Sequence, residues 1–128
     1  MKKQVIRTPL GPAAIGPYSP AIKAGNLVFV SGQVPFDPAT GNLIEDKRIK
    51  AQTRRVLMNI QGILAAAAVP LKNVVRTTVY LTDLGQFQEM NAVYGEFFHS
   101  CPPARSTVEV SRLPKDVAIE IDCIAVAD

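Results

Sequence analysis

An arginine and several carboxylates occur close together near the C-terminus, and these residue types suggest proton transfer on an anionic substrate. Two predicted strands, 104–110 and 117–126, carry polar side chains at every second position: Arg105, Thr107 and Glu109 on the first, Glu120 and Asp122 on the second. Successive side chains of a strand point to opposite faces, so each polar set shares one face. A guanidinium binds a carboxylate through two parallel hydrogen bonds, and a second carboxylate nearby can move protons.

The two strands are expected to pair as a hairpin that gathers both polar sets on one face. The opposite register would place Arg105 beside Ile119 and Ile121, and burying an unpaired charge in an apolar layer costs several kcal/mol (roughly). Pattern alone therefore places Arg105 within reach of Glu120. An alternative interpretation stays open, in which the face is solvated and these residues form structural ion pairs.

Hydrophobic periodicity and turn residues predict the elements that position these side chains. Strands are predicted at 5–7, 21–24, 27–31 and 74–81, with Gly25-Asn26 as a hairpin turn, and helices at 46–68 and from a capping Asp83 to Phe98. This order predicts an α+β fold with two helices on one face of a mixed sheet. The other face is half apolar, because Ile124 and Val126 share the face of Glu120, and that favours an oligomer.

Composition and charge limit the class of protein. The chain has 128 residues, of which 48% are hydrophobic and 20% charged, with a net charge of +3; we expect one domain over residues 1–128. The longest apolar run, 63–70, is too short to span a membrane, and the N-terminus lacks a signal sequence, so a cytoplasmic location is expected. One histidine and two cysteines make a metal site improbable.

Several segments, in order along the chain, resemble those of the YjgF/RidA family. The most specific are near the C-terminus: PARSTVEV at 103–110, LPKD at 113–116 and IEI at 119–121. Further matches are IGPYSP at 15–20, VSGQ at 30–33, Asn59-Ile60, and NAVY at 91–94. The resemblance covers nearly the whole chain.

The resemblance implies a fold, an assembly and an activity. Family members have a chorismate-mutase-like fold and form homotrimers in which three sheets make a central barrel, with ligand sites between subunits. Their archetypal reaction is the hydrolysis of reactive 2-imino acids and their enamine tautomers (2-aminoacrylate, 2-iminopropanoate, 2-iminobutanoate) to 2-keto acids and ammonia. The implied enzyme is a deaminase acting on C=N bonds that needs no metal and no organic cofactor.

Site residues follow from the matching positions. The resemblance assigns substrate-carboxylate binding to Arg105, positioning or activation of water to Glu120, and a place near that water to Tyr18. It assigns substrate binding to a second set, which is Arg105, Thr107, Ser31, Gly32 and Asn91. The expected partners are small 2-imino and 2-keto acids and two further copies of the chain, without nucleic acid or membrane.

Position 107 departs from the family pattern. Many relatives have cysteine where this chain has Thr107, so thiol chemistry there is in doubt, although the implied role uses backbone groups that threonine keeps. Cys101 precedes the strand, and Cys123 lies on the apolar face, where a buried thiol is usually inert.

Two other functions remain alternatives. Some family members are described as ribonucleases or translation inhibitors, and a basic cluster on the first helix would be the RNA-binding surface: Lys47, Arg48, Lys50, Arg54 and Arg55. The chain could also be a metabolite-binding or chaperone-like module in which Arg105 binds keto acids without turnover.

Overall fold

The computed structural model describes residues 2–128 and contains one six-stranded sheet, a small two-stranded sheet and two α-helices. In chain order the elements are β1 (Lys3–Ile6), β2 (Ala21–Ala24), β3 (Leu27–Gln33), β4 (Phe36–Asp37), β5 (Asn42–Leu43), α1 (Ile49–Ala65), β6 (Val74–Leu81), α2 (Phe87–Phe97), β7 (Ala104–Glu109) and β8 (Ile119–Val126). None of the helices among these residues is long and apolar enough to cross a membrane.

The large sheet is mixed, with the strand order β1-β2-β3-β8-β6-β7. Four of its five pairings are antiparallel, and β6 and β7 are the parallel pair. Helix α2 connects these two strands, because parallel neighbours need a crossover connection rather than a tight turn. The sheet and its two helices confirm the predicted α+β class.

Both helices contribute to one core on one face of the sheet. The first helix has apolar residues at spacings of three and four, and its buried set includes Ile49, Val56, Ile60, Ile63 and Leu64. These side chains share a cluster with the inward residues of the central strands, among them Val79, Leu81, Ile119 and Ile121. Strand β8 alternates strictly between buried and half-buried residues, as expected for a sheet with one covered face.

The predicted pairing of the last two strands is wrong. Strand β6 lies between β7 and β8 and pairs with both. Arg105 is aligned with Thr77, which is fully buried on the helix side, whereas Glu120 is aligned with Tyr80 on the other face. The two polar sets therefore lie on opposite faces of the sheet. Register predicts which side chains share a face only when the two strands are neighbours. Here the crossover through α2 places β7 beside β6, so β6 lies between β7 and β8.

Element boundaries differ from prediction mainly at helix and strand ends. Helix α1 is shorter than the predicted 46–68, and β1 begins at Lys3 rather than Val5. The Asp83 side chain caps a short 3₁₀ turn before α2 by accepting a hydrogen bond from Gly85 N at 2.8 Å. No reciprocal bond from Gln86 completes a capping box among the described residues.

The face of the sheet opposite the helices has exposed apolar side chains. Ile22, Phe29 and Ile124 lie side by side across three neighbouring strands, and Phe29 is 41% exposed. Val5 and Val108, 38% and 41% exposed, extend this surface at the two edge strands. The prediction of a half-apolar open face is therefore confirmed.

Candidate active site in two halves

Glu120 lies in a cavity formed by the open end of β3, the N-terminal loop and the turn before β8. The cavity has a volume of about 460 Å³ and its lining includes Tyr18, Ser31, Gly32 and Glu120, together with Ile15, Val34, Phe36, Pro114 and Lys115. We call the first four of these residues the glutamate half-site. The cavity thus brings together four residues that the resemblance assigns to the site.

A β-bulge brings the backbone of β3 against the carboxylate of Glu120. Val30 is aligned with Cys123 and Gln33 with Ile121, so β3 contains one extra residue at Ser31-Gly32. A Cβ atom at position 32 would collide with Glu120 Oε2 and lie 2.8 Å from its Cδ. Only glycine permits this close approach of backbone and carboxylate.

The environment of Glu120 favours the protonated form of its carboxyl group. Partial burial raises its pKa above the usual 4.5, and the negative charge of Asp122 raises it further. Asp122 in turn accepts a hydrogen bond at 3.1 Å from the hydroxyl of Tyr80. A carboxyl group with a raised pKa beside a cavity is suited to exchange protons with a substrate or water.

Tyr18 lies on a loop that Ser31 ties to the sheet. The Ser31 hydroxyl donates to Ser19 O at 2.7 Å, and its backbone N–H donates to Pro20 O at 3.0 Å. The Tyr18 ring is half exposed, and its hydroxyl accepts a hydrogen bond from Ile15 N at 3.2 Å. The side chain of Ser31 thus anchors the Tyr18 loop, and the adjacent Gly32 borders the cavity.

Arg105 lies on the other face, where two aromatic rings of α2 hold its guanidinium. The Arg105 Cζ atom is 4.7 Å from the ring centroid of Tyr94 and 5.4 Å from that of Phe87. The buried hydroxyl of Tyr94 shares a 2.7 Å hydrogen bond with Thr77 Oγ1, which fixes the ring. These cation–π contacts orient the guanidinium.

Asn91 and Thr107 complete this second group of residues. Asn91 lies on α2 between Phe87 and Tyr94, four and three residues from them, and so shares their helix face. Thr107 follows Arg105 by two positions on β7 and points to the same side of the sheet. We call Phe87, Asn91, Tyr94, Arg105 and Thr107 the arginine half-site.

The structure groups the predicted site residues into these two half-sites but does not join the halves. Arg105 and Glu120 extend from opposite faces, and neither forms an ion pair with any residue of 2–128. The alternative of a structural Arg105–Glu120 ion pair is therefore wrong for the single chain.

The sequence analysis missed the aromatic support of Arg105. Both Phe87 and Tyr94 pack against the core, and Tyr94 is largely buried. The available signal was the β6–α2–β7 order, since a strand–helix–strand unit places its helix over the second strand. That rule would also have placed β6 beside β7.

Two of the five residues of the basic cluster at 47–55 form ion pairs within the chain. Arg54 binds Glu96 through two hydrogen bonds of 3.0 and 3.2 Å, and Arg48 binds Asp46 at 2.6 Å. Arg55 donates to Asn59 at 3.1 Å. Three of the five cluster residues thus have partners, which weakens the case for a phosphate-binding surface.

Both cysteines are free thiols. Burial, with a smaller contribution from Asp122, raises the pKa of Cys123 to about 12, so its thiol is inert as expected. Cys101 is exposed in the loop before β7. Within residues 2–128, no three His, Cys, Asp or Glu side chains are grouped as metal ligands.

The fold and the two half-sites define a class: small α+β proteins in which two helices pack on one face of a mixed sheet. The family model described as endoribonuclease L-PSP matches residues 8–127. A RutC family protein of Pyrococcus horikoshii is 56% identical over 123 residues, covering 96% of this chain and 97% of that protein. The chain therefore belongs to this family, the YjgF/RidA/RutC family.

Solved structures show the same architecture. The YjgF gene product of Escherichia coli is 45% identical with a TM-score of 0.92, covering 98% of this chain and 99% of that one. Escherichia coli TdcF, solved with bound serine, is 41% identical with a TM-score of 0.92 and the same coverage. The resemblance found from the sequence is confirmed over the whole fold.

Proposed function

We propose that the chain is a hydrolase that converts 2-imino acids and their enamine tautomers to 2-keto acids and ammonia. The observation that carries the proposal is the pair of half-buried charged groups, Arg105 and Glu120, that lack ion-pair partners within residues 2–128. Charged groups at such positions are costly unless a ligand or an assembly uses them. The 2-imino acids, including 2-aminoacrylate, 2-iminopropanoate and 2-iminobutanoate, present the carboxylate and electrophilic carbon that such a pair would bind and attack.

Arg105 binds the carboxylate of the substrate in this proposal. Its guanidinium is oriented by the rings of Phe87 and Tyr94, and a planar fork matches the two oxygens of a carboxylate. Asn91 and the backbone of Thr107 lie on the same side and supply further polar groups. The serine bound in the TdcF structure is a small amino acid with the same carboxylate.

Glu120 acts as the general base and then as the general acid. Its carboxylate takes a proton from a water molecule while the water oxygen adds to the imine carbon, and it passes that proton to the imine nitrogen, which gives a carbinolamine. The Glu120 carboxylate then takes the proton of the new hydroxyl group and delivers it to the nitrogen as the C–N bond breaks, so that ammonia and the 2-keto acid leave and the carboxylate is restored. Tyr18 and the backbone at Gly32 border the cavity in which this water would lie.

The proposed active form is a homotrimer with sites between copies. The half-sites face opposite sides of the sheet, so an edge strand β7 from one copy must meet the open face of another. Burial of the exposed apolar residues of that face, including Phe29 and Val108, would stabilise such an assembly. The free thiols of Cys101 and Cys123 fit the reducing cytoplasm as the place of action.

A competition assay tests the function. An amino-acid oxidase generates 2-iminopropanoate or 2-iminobutanoate, semicarbazide traps the surviving imine, and the protein is added as wild type, Arg105→Ala or Glu120→Ala. The proposal requires that wild type suppresses trapping and that both variants lose most of this effect. Wild-type trapping at the buffer rate would contradict it.

Binding without turnover is the second candidate, and the arginine half-site favours it because Arg105 alone can hold a keto acid. In that case 2-ketobutyrate binds to the wild type, imine trapping equals the buffer rate, and Glu120→Ala leaves the affinity unaltered. The same preparation decides between the two functions. Ribonuclease activity, which the family description names, is tested in parallel by cleavage of a single-stranded RNA.

A further inference from the structure

We propose that Asn59, a buried amide on α1 outside both half-sites, is a positioning residue that determines which substrate side chains fit the cavity of Glu120. It acts through the segment 34–36, whose Val34 and Phe36 are part of the cavity wall. This inference rests on the proposed function, since the ligand whose side chain meets this wall is a 2-imino acid.

The amide of Asn59 is fully buried and all its hydrogen-bonding groups are engaged. Its Nδ2 donates to Phe36 O at 2.8 Å and to Val34 O at 3.4 Å. Its Oδ1 accepts a hydrogen bond at 3.1 Å from Arg55 Nε, one turn earlier on the helix. Arg55 therefore fixes which end of the amide faces the segment, so that the donating end meets the two carbonyls.

Apart from Asn59, the segment 34–36 is held by a tight turn and by the small β4–β5 sheet, in which Phe36 is paired with Leu43. Phe36 N donates to Val34 O at 2.7 Å in a tight turn around Pro35, and Ile44 N donates to Pro35 O at 3.1 Å. The segment begins directly after the β3 bulge that presents Gly32 to Glu120. The bonds from Asn59 thus tie the part of the cavity wall formed by Val34 and Phe36 to helix α1.

The wall that Asn59 holds is apolar, whereas Glu120 and Tyr18 provide the polar groups. A ligand whose carboxylate and imine carbon meet Arg105 and Glu120 has its side chain left for the apolar part of the cavity. A displacement of Val34 and Phe36 would therefore change the fit of a large side chain more than that of a methyl group. Carboxylate binding and proton transfer depend on other residues.

Gln52 offers a matched control on the same helix. Its buried amide accepts a hydrogen bond at 2.9 Å from Ala118 N, directly before β8, rather than bonding to the segment 34–36. Toward its backbone partner Gln52 is a hydrogen-bond acceptor, whereas Asn59 is a donor toward the carbonyls of Val34 and Phe36. Asn59→Asp removes the donor and turns an oxygen toward two carbonyls, whereas Gln52→Glu keeps the acceptor.

The experiment measures KM and kcat for two imines, 2-iminopropanoate and 2-imino-4-methylpentanoate, generated in situ from alanine and leucine. Asn59→Asp is expected to change the ratio of the two KM values by about tenfold, with the two kcat values changing much less than this ratio. Gln52→Glu is expected to keep the wild-type ratio. Equal changes for both imines, or an equal change of the ratio in both variants, would overturn the proposal.

Keto-acid binding separates failure of this inference from failure of the proposed function. Titration calorimetry measures the affinities for pyruvate and 4-methyl-2-oxopentanoate, whose ratio depends on the same cavity wall but requires no turnover. The proposed function is tested separately, by whether the wild type hydrolyses imine. Arg55→Met, at a half-buried position, removes the orienting donor and serves if Asn59→Asp does not fold. Arg55→Met is expected to shift the KM ratio of the two imines and the affinity ratio of the two keto acids in the same direction as Asn59→Asp. A folded Arg55→Met protein with wild-type values of both ratios would overturn the proposal.

Discussion

Arg105 and Glu120 extend from opposite faces of one sheet, on strands β7 and β8 that are separated by β6. Each is bordered by its own set of residues, Arg105 by the rings of α2 and Glu120 by the β3 bulge. The two half-sites of one chain therefore lie on opposite faces of the sheet. The proposed active site therefore requires an assembly in which the two half-sites of different copies meet.

The approach of Gly32 to Glu120 predicts a position-specific loss of activity. Gly32→Ala places a methyl group against the carboxylate, so Glu120 must move, and we expect turnover to fall by about a hundredfold. Gly95→Ala is the control, because a Cβ there meets nothing within 4 Å and alanine favours the helix by ~1 kcal/mol. Kinetics and thermal unfolding of both variants test this. Wild-type turnover in Gly32→Ala would show that the carboxylate position is not needed.

The aromatic support of Arg105 predicts a graded effect on ligand affinity. Tyr94→Leu removes one ring above the guanidinium and is expected to weaken pyruvate binding by about fivefold, as loss of a partly buried cation–π contact would. Tyr94→Phe keeps the ring and loses only the hydrogen bond to Thr77, so a smaller effect is expected. Calorimetric titration measures both affinities, and equal losses in the two variants would assign the effect to the hydroxyl instead.

The raised pKa of Glu120 predicts how stability depends on pH. Because its folded-state pKa lies above the unfolded value near 4.5, the stabilising effect of the protonated form is complete below that pH. It is lost as the pH rises through the raised pKa. Glu120→Gln removes this loss, so the variant should melt at a higher temperature than the wild type near neutral pH, and the difference should shrink in acid. A difference in melting temperature that grows toward acid pH would show that folding lowers the pKa of Glu120 instead of raising it.

The same pKa predicts the acidic limb of the rate profile. A general base works as the carboxylate, so kcat/KM for imine hydrolysis should rise with pH through a midpoint above 4.5. Glu120→Gln should lose this limb together with most of the rate. A limb that persists in Glu120→Gln with unchanged midpoint would assign it to another group.

Sequence patterns predicted the local structure well because the deciding forces are local. Strand β6 was placed at Val74–Leu81 by its β-branched residues, and the buried alternation of β8 followed from residue type alone. The grouping of Tyr18, Ser31 and Gly32 beside Glu120 came from the family resemblance, and the cavity now contains all four.

Neighbouring strands were harder to predict because sheet order depends on long-range contacts. The polar alternation at Arg105 and Glu120 was correct within each strand, but it contains no information on what lies between the strands. The bulge that brings Gly32 against Glu120 and the hydrogen bonds of the Asn59 amide were likewise not predicted, since each depends on a contact across the fold.

Subunit complementation tests most directly that the site is shared between copies. Arg105→Ala and Glu120→Ala, each inactive alone, are co-expressed with different affinity tags, and assemblies containing both are purified. In a mixed trimer one of the three interfaces combines an intact Arg105 with an intact Glu120, so we predict about one third of the wild-type imine hydrolysis. Mixed assemblies with no more activity than the single variants would contradict the account, because Arg105 and Glu120 would then have to act within one chain.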